Sequence, residues 1–176
     1  FDDPQYSYKK TFHLPVFTKD FDVTFFPEGG SLLAVAHQNI AFKAQGADGF
    51  SKEIEGFLFN SQGDTLTSFR SEHNGMGVFT LNHIGENTYY VTVKSIDGIS
   101  KRFELPPVEQ KGIALAMTHY KQEIRYEIQK TETTEWPQKL FLLAHTRGKL
   151  VLLQPINTSR TFGKMNDSLF TTGITH

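Results

Sequence analysis

The stretch EIEGFLFNSQGDTLTSFRS, residues 53–71, decides the fold class. Two runs rich in apolar and β-branched residues, 53–60 and 65–71, flank the polar sequence Ser61-Gln62-Gly63-Asp64. Glycine at position 63 allows the positive φ that a tight hairpin turn requires. The stretch therefore predicts two antiparallel strands joined by a short turn. We expect their apolar bulk to come from Ile54, Phe57, Phe59, Leu66 and Phe69.

The same pattern of short alternating runs recurs on both sides of this hairpin, whereas helical periodicity is almost absent. The further predicted strands are 22–26, 38–44, 77–82, 87–94 and 101–105. Val23 and Phe25 share one face of the first of these, and Ile40 and Phe42 point inward from the second. Turns fall at 83–86 and at Asp97-Gly98. Seven short strands at this spacing are typical of an antiparallel Ig-like β-sandwich. We call residues 21–106 the first module.

Beyond Pro106-Pro107 the strand pattern resumes in residues 107–176, which we call the second module. The proline pair predicts a domain boundary, because neither residue can donate a hydrogen bond to a β-ladder. Predicted strands are 112–119, 122–130, 139–146 and 149–156, with a hairpin turn at Arg147-Gly148 and a loop at 131–138. Four or five strands are too few for a seven-stranded sandwich. The second module is therefore expected to be incomplete, or to be completed by strands from elsewhere.

The first twenty residues fit neither module. Residues 6–14 alternate like one strand and residues 15–20 like a linker. Residues 1–20 are interpreted as the terminal strand of a preceding domain and its linker, with packing of this strand on the first module as the alternative.

Composition excludes several functional classes. The 176 residues are 38% hydrophobic and 21% charged, with a formal net charge of −1, so the chain lacks the basic balance expected of a nucleic-acid binder. It contains no cysteine, which excludes a disulfide, a thiolate metal site and a thiol nucleophile. The longest apolar run, Leu140 to Ala144, is too short to cross a bilayer, and no transmembrane segment is predicted.

Four short stretches carry a family resemblance: FFPEGG (25–30), IAFKA (40–44), GMGVF (75–79) and YYVTV (89–93). As a set they resemble the macroglobulin-like (MG-type, as in alpha-2-macroglobulin) domains that occur in tandem in large envelope proteins of Gram-negative bacteria. Some of those proteins continue into the plug domain of a TonB-dependent outer-membrane receptor. The resemblance covers residues 21–105 well and residues 106–176 more loosely. Relative to the family, residues 1–12 look like the last strand of an upstream domain and residues 170–176 look like the entry to a further strand pair, which implies a fragment of a larger protein.

The resemblance implies a non-catalytic structural or interaction module of an exported protein, in the periplasm or at the outer-membrane surface. It implies other domains of the same protein as partners, with an outer-membrane protein and a glycan as further candidates. Some relatives trap proteases through a thioester that requires a cysteine. Since this chain has none, the resemblance does not extend to that chemistry.

The distinctive residues of the resemblance are interpreted as structural: Pro27, Glu28, Gly29, Gly30, Gly75, Gly77 and Tyr89. The glycine pair after Glu28 could cradle an anion, but no helix start follows it, so a turn is favoured, with Glu28 as a cap for backbone amides. The two glycines around Met76 predict a bulge or a close backbone approach. Tyr89 or Tyr90 is expected to be a corner tyrosine whose hydroxyl bonds to the preceding loop.

Signals for catalysis or cofactors are weak, so we predict no enzyme and no cofactor. The seven histidines form no HxH or HExxH pair, and no serine lies in a G-x-S-x-G elbow. A serine triad assembled only in space stays open. Asp48-Gly49 and Asp97-Gly98 lack the spacing of a calcium loop, and turn chemistry explains them better.

Trp136, with Tyr120 and Tyr126 on neighbouring predicted strands, is the candidate contact surface, since aromatic platforms bind sugars and anchor protein interfaces. The alternative is that Trp136 packs on its own module, which a loop tryptophan does more often. A glycan-binding module is one rival function. A protease inhibitor with a bait segment at residues 131–138 is another.

Overall fold

The computed structural model describes residue 11, residues 19–85 and residues 88–170, and this part of the chain is all-β. The strands are β1 (Phe21–Pro27), β2 (His37–Gly46), β3 (Ile54–Phe59), β4 (Thr65–Arg70), β5 (Met76–Asn82), β6 (Tyr90–Ser95), β7 (Ser100–Glu104), β8 (Ile113–Tyr120), β9 (Glu123–Lys130), β10 (Phe141–Thr146), β11 (Lys149–Pro155) and β12 (Phe162–Asn166). A short 3-10 helix spans Asp167–Leu169. The predicted fold class is confirmed. Apart from residue 11, the strand predicted at 6–14 lies outside the described residues, and so does the strand entry predicted at 170–176 apart from residue 170.

The first module consists of two antiparallel sheets, a three-stranded sheet in the order β1-β2-β5 and a four-stranded sheet in the order β4-β3-β6-β7. Alternation along β2 buries every second side chain, among them Ile40 and Phe42, as predicted. The ring of Phe42 packs edge-on against Phe69 of the opposite sheet, with centroids 5.1 Å apart. Such contacts between inner faces hold the sheets together.

The apolar residues predicted for the β3–β4 hairpin do not all lie in the core. The inner face of β3 is formed by Ile54, Gly56 and Leu58, so period-two alternation turns Phe57 outward, where it is 51% exposed. The inward alternation of β3 is hard to read from the sequence because its middle position, Gly56, has no side chain. The ring of Phe69 fills the space above Gly56. Leu66 likewise lies on the outside, at 43% exposure.

The second module contains a three-stranded sheet in the order β12-β9-β8 and a two-stranded sheet of β10 and β11, again antiparallel. The sequence did not predict β12, because FGKMN offers only one buried apolar side chain, Met165. Gly163 accommodates the ring of Tyr126, since a Cβ there would lie 2.5 Å from the tyrosine hydroxyl. The buried side chains of the second core are Tyr126, Ile128, Leu142, Ile156 and Met165.

The connection between the modules is packed rather than free. Backbone hydrogen bonds run from Ala34 N to Glu109 O (3.0 Å) and from Glu109 N to Leu32 O (2.8 Å). Leu105 and Ala114, on either side of the predicted boundary at Pro106-Pro107, both belong to the core of the first module. The linker therefore forms part of the joint between the modules.

Within the described residues no helix is long and apolar enough to cross a membrane.

Candidate interaction site at the module junction

The Glu28 carboxylate bridges the two modules. Its Oε1 accepts a hydrogen bond from the backbone N of Met117 in β8 (2.8 Å), and its Oε2 accepts one from Asn39 Nδ2 in β2 (2.9 Å). A hydrogen bond to an ionised acceptor is stronger than one between neutral groups. Glu28 thus caps a backbone amide, and that amide belongs to the neighbouring module.

Gln38, which the sequence did not single out, organises the loop that carries Glu28. It is 2% exposed, and its Nε2 donates to the backbone oxygens of Glu28 and Ser31, at 2.5 and 2.8 Å. Its Oε1 accepts from Leu33 N at 3.0 Å. A buried amide needs such partners, because an unsatisfied polar group costs about 1–3 kcal/mol. The sequence did contain one sign of this role, because Gln38 is a polar residue on the inward face that Ile40 and Phe42 otherwise make apolar.

A second set of contacts joins the modules through His37 at the start of β2. Gln129 Nε2 donates to His37 O at 3.0 Å, while His37 N donates to Gln129 Oε1 at 3.4 Å. The His37 Nε2 atom also lies 3.4 Å from Glu127 Oε2. Since Gln129 and Glu127 are in β9, β2 of the first module contacts β9 of the second.

The glycines after Glu28 form a turn rather than an anion cradle. Gly29 and Gly30 have φ values of 88° and 99°, and Gly30 N donates to Pro27 O at 2.9 Å. Both positions favour glycine because L-residues rarely adopt this conformation. The turn aims Glu28 at β8.

Gly75 marks a place where backbones approach closely. It has a φ of 69°, and a Cβ at this position would lie 2.5 Å from Ala44 O. At Gly77 a Cβ would lie 2.6 Å from the Phe42 ring and 2.7 Å from Arg70 O. The two glycines allow the start of β5 to approach β2 and β4.

Tyr89, rather than Tyr90, has the geometry of a corner tyrosine. It is buried, and its hydroxyl accepts a hydrogen bond from Gly85 N at 3.2 Å. Tyr90 instead stacks on Phe59, with ring centroids 5.1 Å apart. The bond ties the turn before β6 to the first core.

The predicted aromatic contact surface is not continuous in the structure. Tyr126 is 8% exposed and belongs to the second core, against which Trp136 also packs, so the prediction of a contact role for Tyr126 is wrong. Tyr126 is buried because its position in β9 alternates inward. Tyr120 is exposed, with the Arg125 guanidinium 4.6 Å from its ring centroid.

The loop at 131–138 is tied to the linker. Thr131 is buried and its backbone N donates to Gly112 O at 3.1 Å, while Gly112 N donates to Thr134 Oγ1 at 2.8 Å. Thr133 Oγ1 also donates to Gln110 O. These bonds hold the first half of the segment that was considered as protease bait.

A cleft of about 660 Å³ lies between the modules, and His37 contributes to its wall. Its charged lining from the second module is Glu123, Arg125, Glu127, Arg160 and Lys164. Lys164 Nζ donates to Glu123 Oε1 at 2.5 Å, so part of this charge is paired within the chain. That hydrogen bond lowers the pKa of Glu123. The charged lining of the cleft contains both signs, so it lacks the basic balance that a phosphate-rich ligand requires.

Ion pairs near the start of β1 and at the turn after β6 also shift pKa values. Lys101 Nζ lies 2.6 Å from Asp20 Oδ1, and this hydrogen bond lowers the pKa of Asp20. Lys52 pairs with Asp97, which lowers the pKa of Asp97 and raises that of Lys52. These pairs fasten loops and lie at the surface.

Over the part of the chain that the structure describes, no three His, Asp or Glu side chains are close enough to hold a metal ion. His119 Nε2, for example, contacts a single carboxylate, Asp167 Oδ2, at 3.0 Å.

Known proteins show little similarity to this chain. No family model matches the chain, and no curated protein matches it. One similar solved structure is described as "Biofilm associated protein - BSP domain", with 13% sequence identity and a TM-score of 0.36. The match covers 82% of this chain, whereas this chain spans only 24% of that one. At this TM-score the similarity carries no argument about function.

Proposed function

We propose that the chain is a non-catalytic structural and interaction module of a larger bacterial cell-envelope protein, in which two β-sandwich modules form a fixed pair. The observation that carries this proposal is the Glu28 carboxylate, which bonds to both modules. A spacer or docking element must hold its parts at a set angle, and the bonds of Glu28 and Gln129 across the junction supply that constraint.

The finer part of the proposal rests on the resemblance to macroglobulin-like envelope domains. It places the module in the periplasm or at the outer-membrane surface of a Gram-negative bacterium, as an extension of a TonB-dependent transport protein. The support for it is the set of sequence stretches that carry the resemblance, at residues 25–30, 40–44, 75–79 and 89–93. The partners proposed are other domains of the same protein and an outer-membrane protein.

The rival functions have less support. The predicted glycan platform of Trp136, Tyr120 and Tyr126 is incomplete, because Tyr126 is buried in the second core. The predicted bait segment at 131–138 is hydrogen-bonded to the linker through Thr131 and Thr134. Neither observation favours a sugar ligand or a protease over a protein contact.

Replacing Glu28 with alanine tests the fixed pair. We expect Glu28→Ala to lower the free energy of unfolding by about 1 kcal/mol, since one charged acceptor is lost. Residual dipolar couplings of the two modules should then no longer fit a single relative orientation. Glu55→Ala is the matched control, because Glu55 lies on the exposed face of β3. The proposal is wrong if the couplings of Glu28→Ala and Glu55→Ala fit one orientation equally well.

The role in the envelope is tested in the parent protein. Removing residues 19–170 should abolish retention of one envelope partner and impair nutrient uptake, with the remaining domains still exported. Normal uptake and unchanged partner retention would contradict a docking role.

A further inference from the structure

The outer face of the β10–β11 hairpin is apolar. Along β10, Leu142 and Ala144 are buried, so the residues that alternate with them point away from the second core. Cross-strand partners in an antiparallel pair lie on the same face. By the register of the hairpin, this outer face contains Phe141, Leu143, Leu150, Leu153 and Pro155, which we call the apolar hairpin face.

The side chains of the apolar hairpin face are open to solvent. Its phenylalanine and its three leucines are each more than half exposed, and its proline is exposed as well. These side chains point away from the plane of the sheet, so their exposure does not depend on what pairs with the strand edges. Adjoining exposed apolar side chains of this kind mark a surface that another apolar surface covers.

The sequence around this face is basic. Residues 136–166 contain no Asp or Glu, although the whole chain has 18 Lys and Arg against 19 Asp and Glu. Lys139 lies just before β10, Arg147 lies in the hairpin turn, and Lys149 begins β11. All three are exposed, and none forms an ion pair with another described residue. The apolar hairpin face therefore has unpaired positive charge at both ends.

Charge complementarity selects an apolar occupant that carries negative charge. A second copy of this chain would bring the same cations towards each other, and like charges repel. A protein interface includes about one hydrogen bond per 100–200 Å², whereas the five side chains of the apolar hairpin face offer no hydrogen-bonding group. An anionic bilayer supplies both hydrocarbon for the apolar side chains and diffuse negative charge for the cations.

We propose that the apolar hairpin face binds the surface of an anionic phospholipid bilayer. Its leucines and phenylalanine enter the boundary between headgroups and acyl chains, while Lys139, Arg147 and Lys149 contact lipid phosphates. The binding is peripheral and reversible, and it weakens as salt is added. This activity goes beyond the proposed docking role among proteins and does not depend on the junction at Glu28.

The first module supplies a matched control surface. The sheet β12-β9-β8 corresponds to β5-β2-β1, and Gly163 is paired with Tyr126 as Gly77 is paired with Phe42. The β10–β11 hairpin therefore corresponds to β3–β4. Phe57 and Leu66 of that hairpin are also exposed apolar residues, at 51% and 43%.

The first experiment places a fluorescent probe on the face. Because the chain contains no cysteine, Leu150→Cys creates a single site for the environment-sensitive dye nitrobenzoxadiazole. With vesicles of phosphatidylglycerol and phosphatidylcholine in equal parts, we expect the emission to shift to the blue and to rise at least twofold. Vesicles of phosphatidylcholine alone should produce a much smaller change. The same dye attached through Leu66→Cys should not respond to either vesicle.

The second experiment measures partitioning onto the anionic vesicles by co-sedimentation. Leu143→Asn should weaken partitioning at least fivefold, whereas Phe57→Asn should leave it unchanged. Arg147→Gln and Lys149→Gln should each weaken it about fivefold, because a cation near an anionic surface contributes about that factor.

Three outcomes overturn the proposal. The first is the absence of both a blue shift at position 150 and co-sedimentation with anionic vesicles, which would leave the face to a protein partner. The second is equal weakening by Leu143→Asn and Phe57→Asn. The third is a dimer in sedimentation velocity that Leu143→Asn abolishes while no variant binds vesicles, because the face would then be covered by a second copy.

Discussion

The hairpins β3–β4 and β10–β11 occupy the same place in their modules but have different outer faces. In the first module Glu55 is paired across the strands with Arg70, whereas in the second Leu143 is paired with Leu153. Both leucines are more than half exposed. Strand order therefore does not depend on the outer face, which is free to become charged or apolar.

The cores differ as well, and the largest expected effect tests that difference. Phe42→Ala removes a ring from the centre of the first core and should cost about 3–5 kcal/mol, whereas Ile128→Ala in the second core should cost about 2 kcal/mol. Urea denaturation with a separate exchange probe in each module measures both values. Phe57→Ala is the control and should change stability by no more than about 0.5 kcal/mol, because this side chain is exposed. A larger cost for Ile128→Ala would reverse the comparison.

An intermediate effect on stability is expected from replacing one glycine in each module, since the two glycines have the same backbone conformation. Gly75 in the first module and Gly148 in the second have φ values of 69° and 77°. A Cβ at Gly75 would lie 2.5 Å from Ala44 O, whereas at Gly148 no atom lies within 4 Å. Gly148→Ala should cost about 1–2 kcal/mol for the left-handed conformation alone. Gly75→Ala should lower the free energy of unfolding by more than Gly148→Ala, as measured by thermal melts of both variants. Equal losses would show that the backbone near Ala44 can move to make room for the added Cβ.

The smallest effect concerns one ion pair in each module, Asp97 with Lys52 and Glu123 with Lys164. Both carboxyl pKa values are lowered in the folded chain. The stabilisation from each carboxylate is therefore present above its unfolded pKa, about 4, and is lost as the pH falls through the folded pKa. Lys52 has a raised pKa in the folded chain. The stabilisation from its ammonium group is therefore present below the pKa of an unfolded lysine and is lost as the pH rises through the folded pKa.

Melting at pH 7 and at pH 2 checks this effect. Asp97→Asn should reduce the acid sensitivity of the first module only, and Glu123→Gln that of the second only. Both effects should be small because the pairs lie at the surface, and added salt should weaken them further. If neither variant alters the acid sensitivity of its module, that sensitivity arises from other carboxylates.

The sequence by itself determined the strands and the turns between them. Each of the eleven strands predicted within residues 22–156 overlaps one of β1 to β11, and the turn glycines Gly63, Gly98 and Gly148 have positive φ as their turns require. These features are local: alternation has a period of two residues, and a hairpin turn needs only its own few residues. The cap at Glu28 was within reach of the sequence for the same reason, because the residue stands in a turn.

Only the tertiary structure decided which faces and which strands meet. It turned Phe57 outward, buried Tyr126, added β12 and showed that the amide capped by Glu28 is that of Met117. Alternation separates two faces of a strand without saying which one a neighbouring sheet will cover, so an aromatic residue beside a glycine is easily assigned to the wrong face. Strand pairing and the contacts of Gln38 and Gln129 join residues far apart in the chain, and no local pattern records their positions.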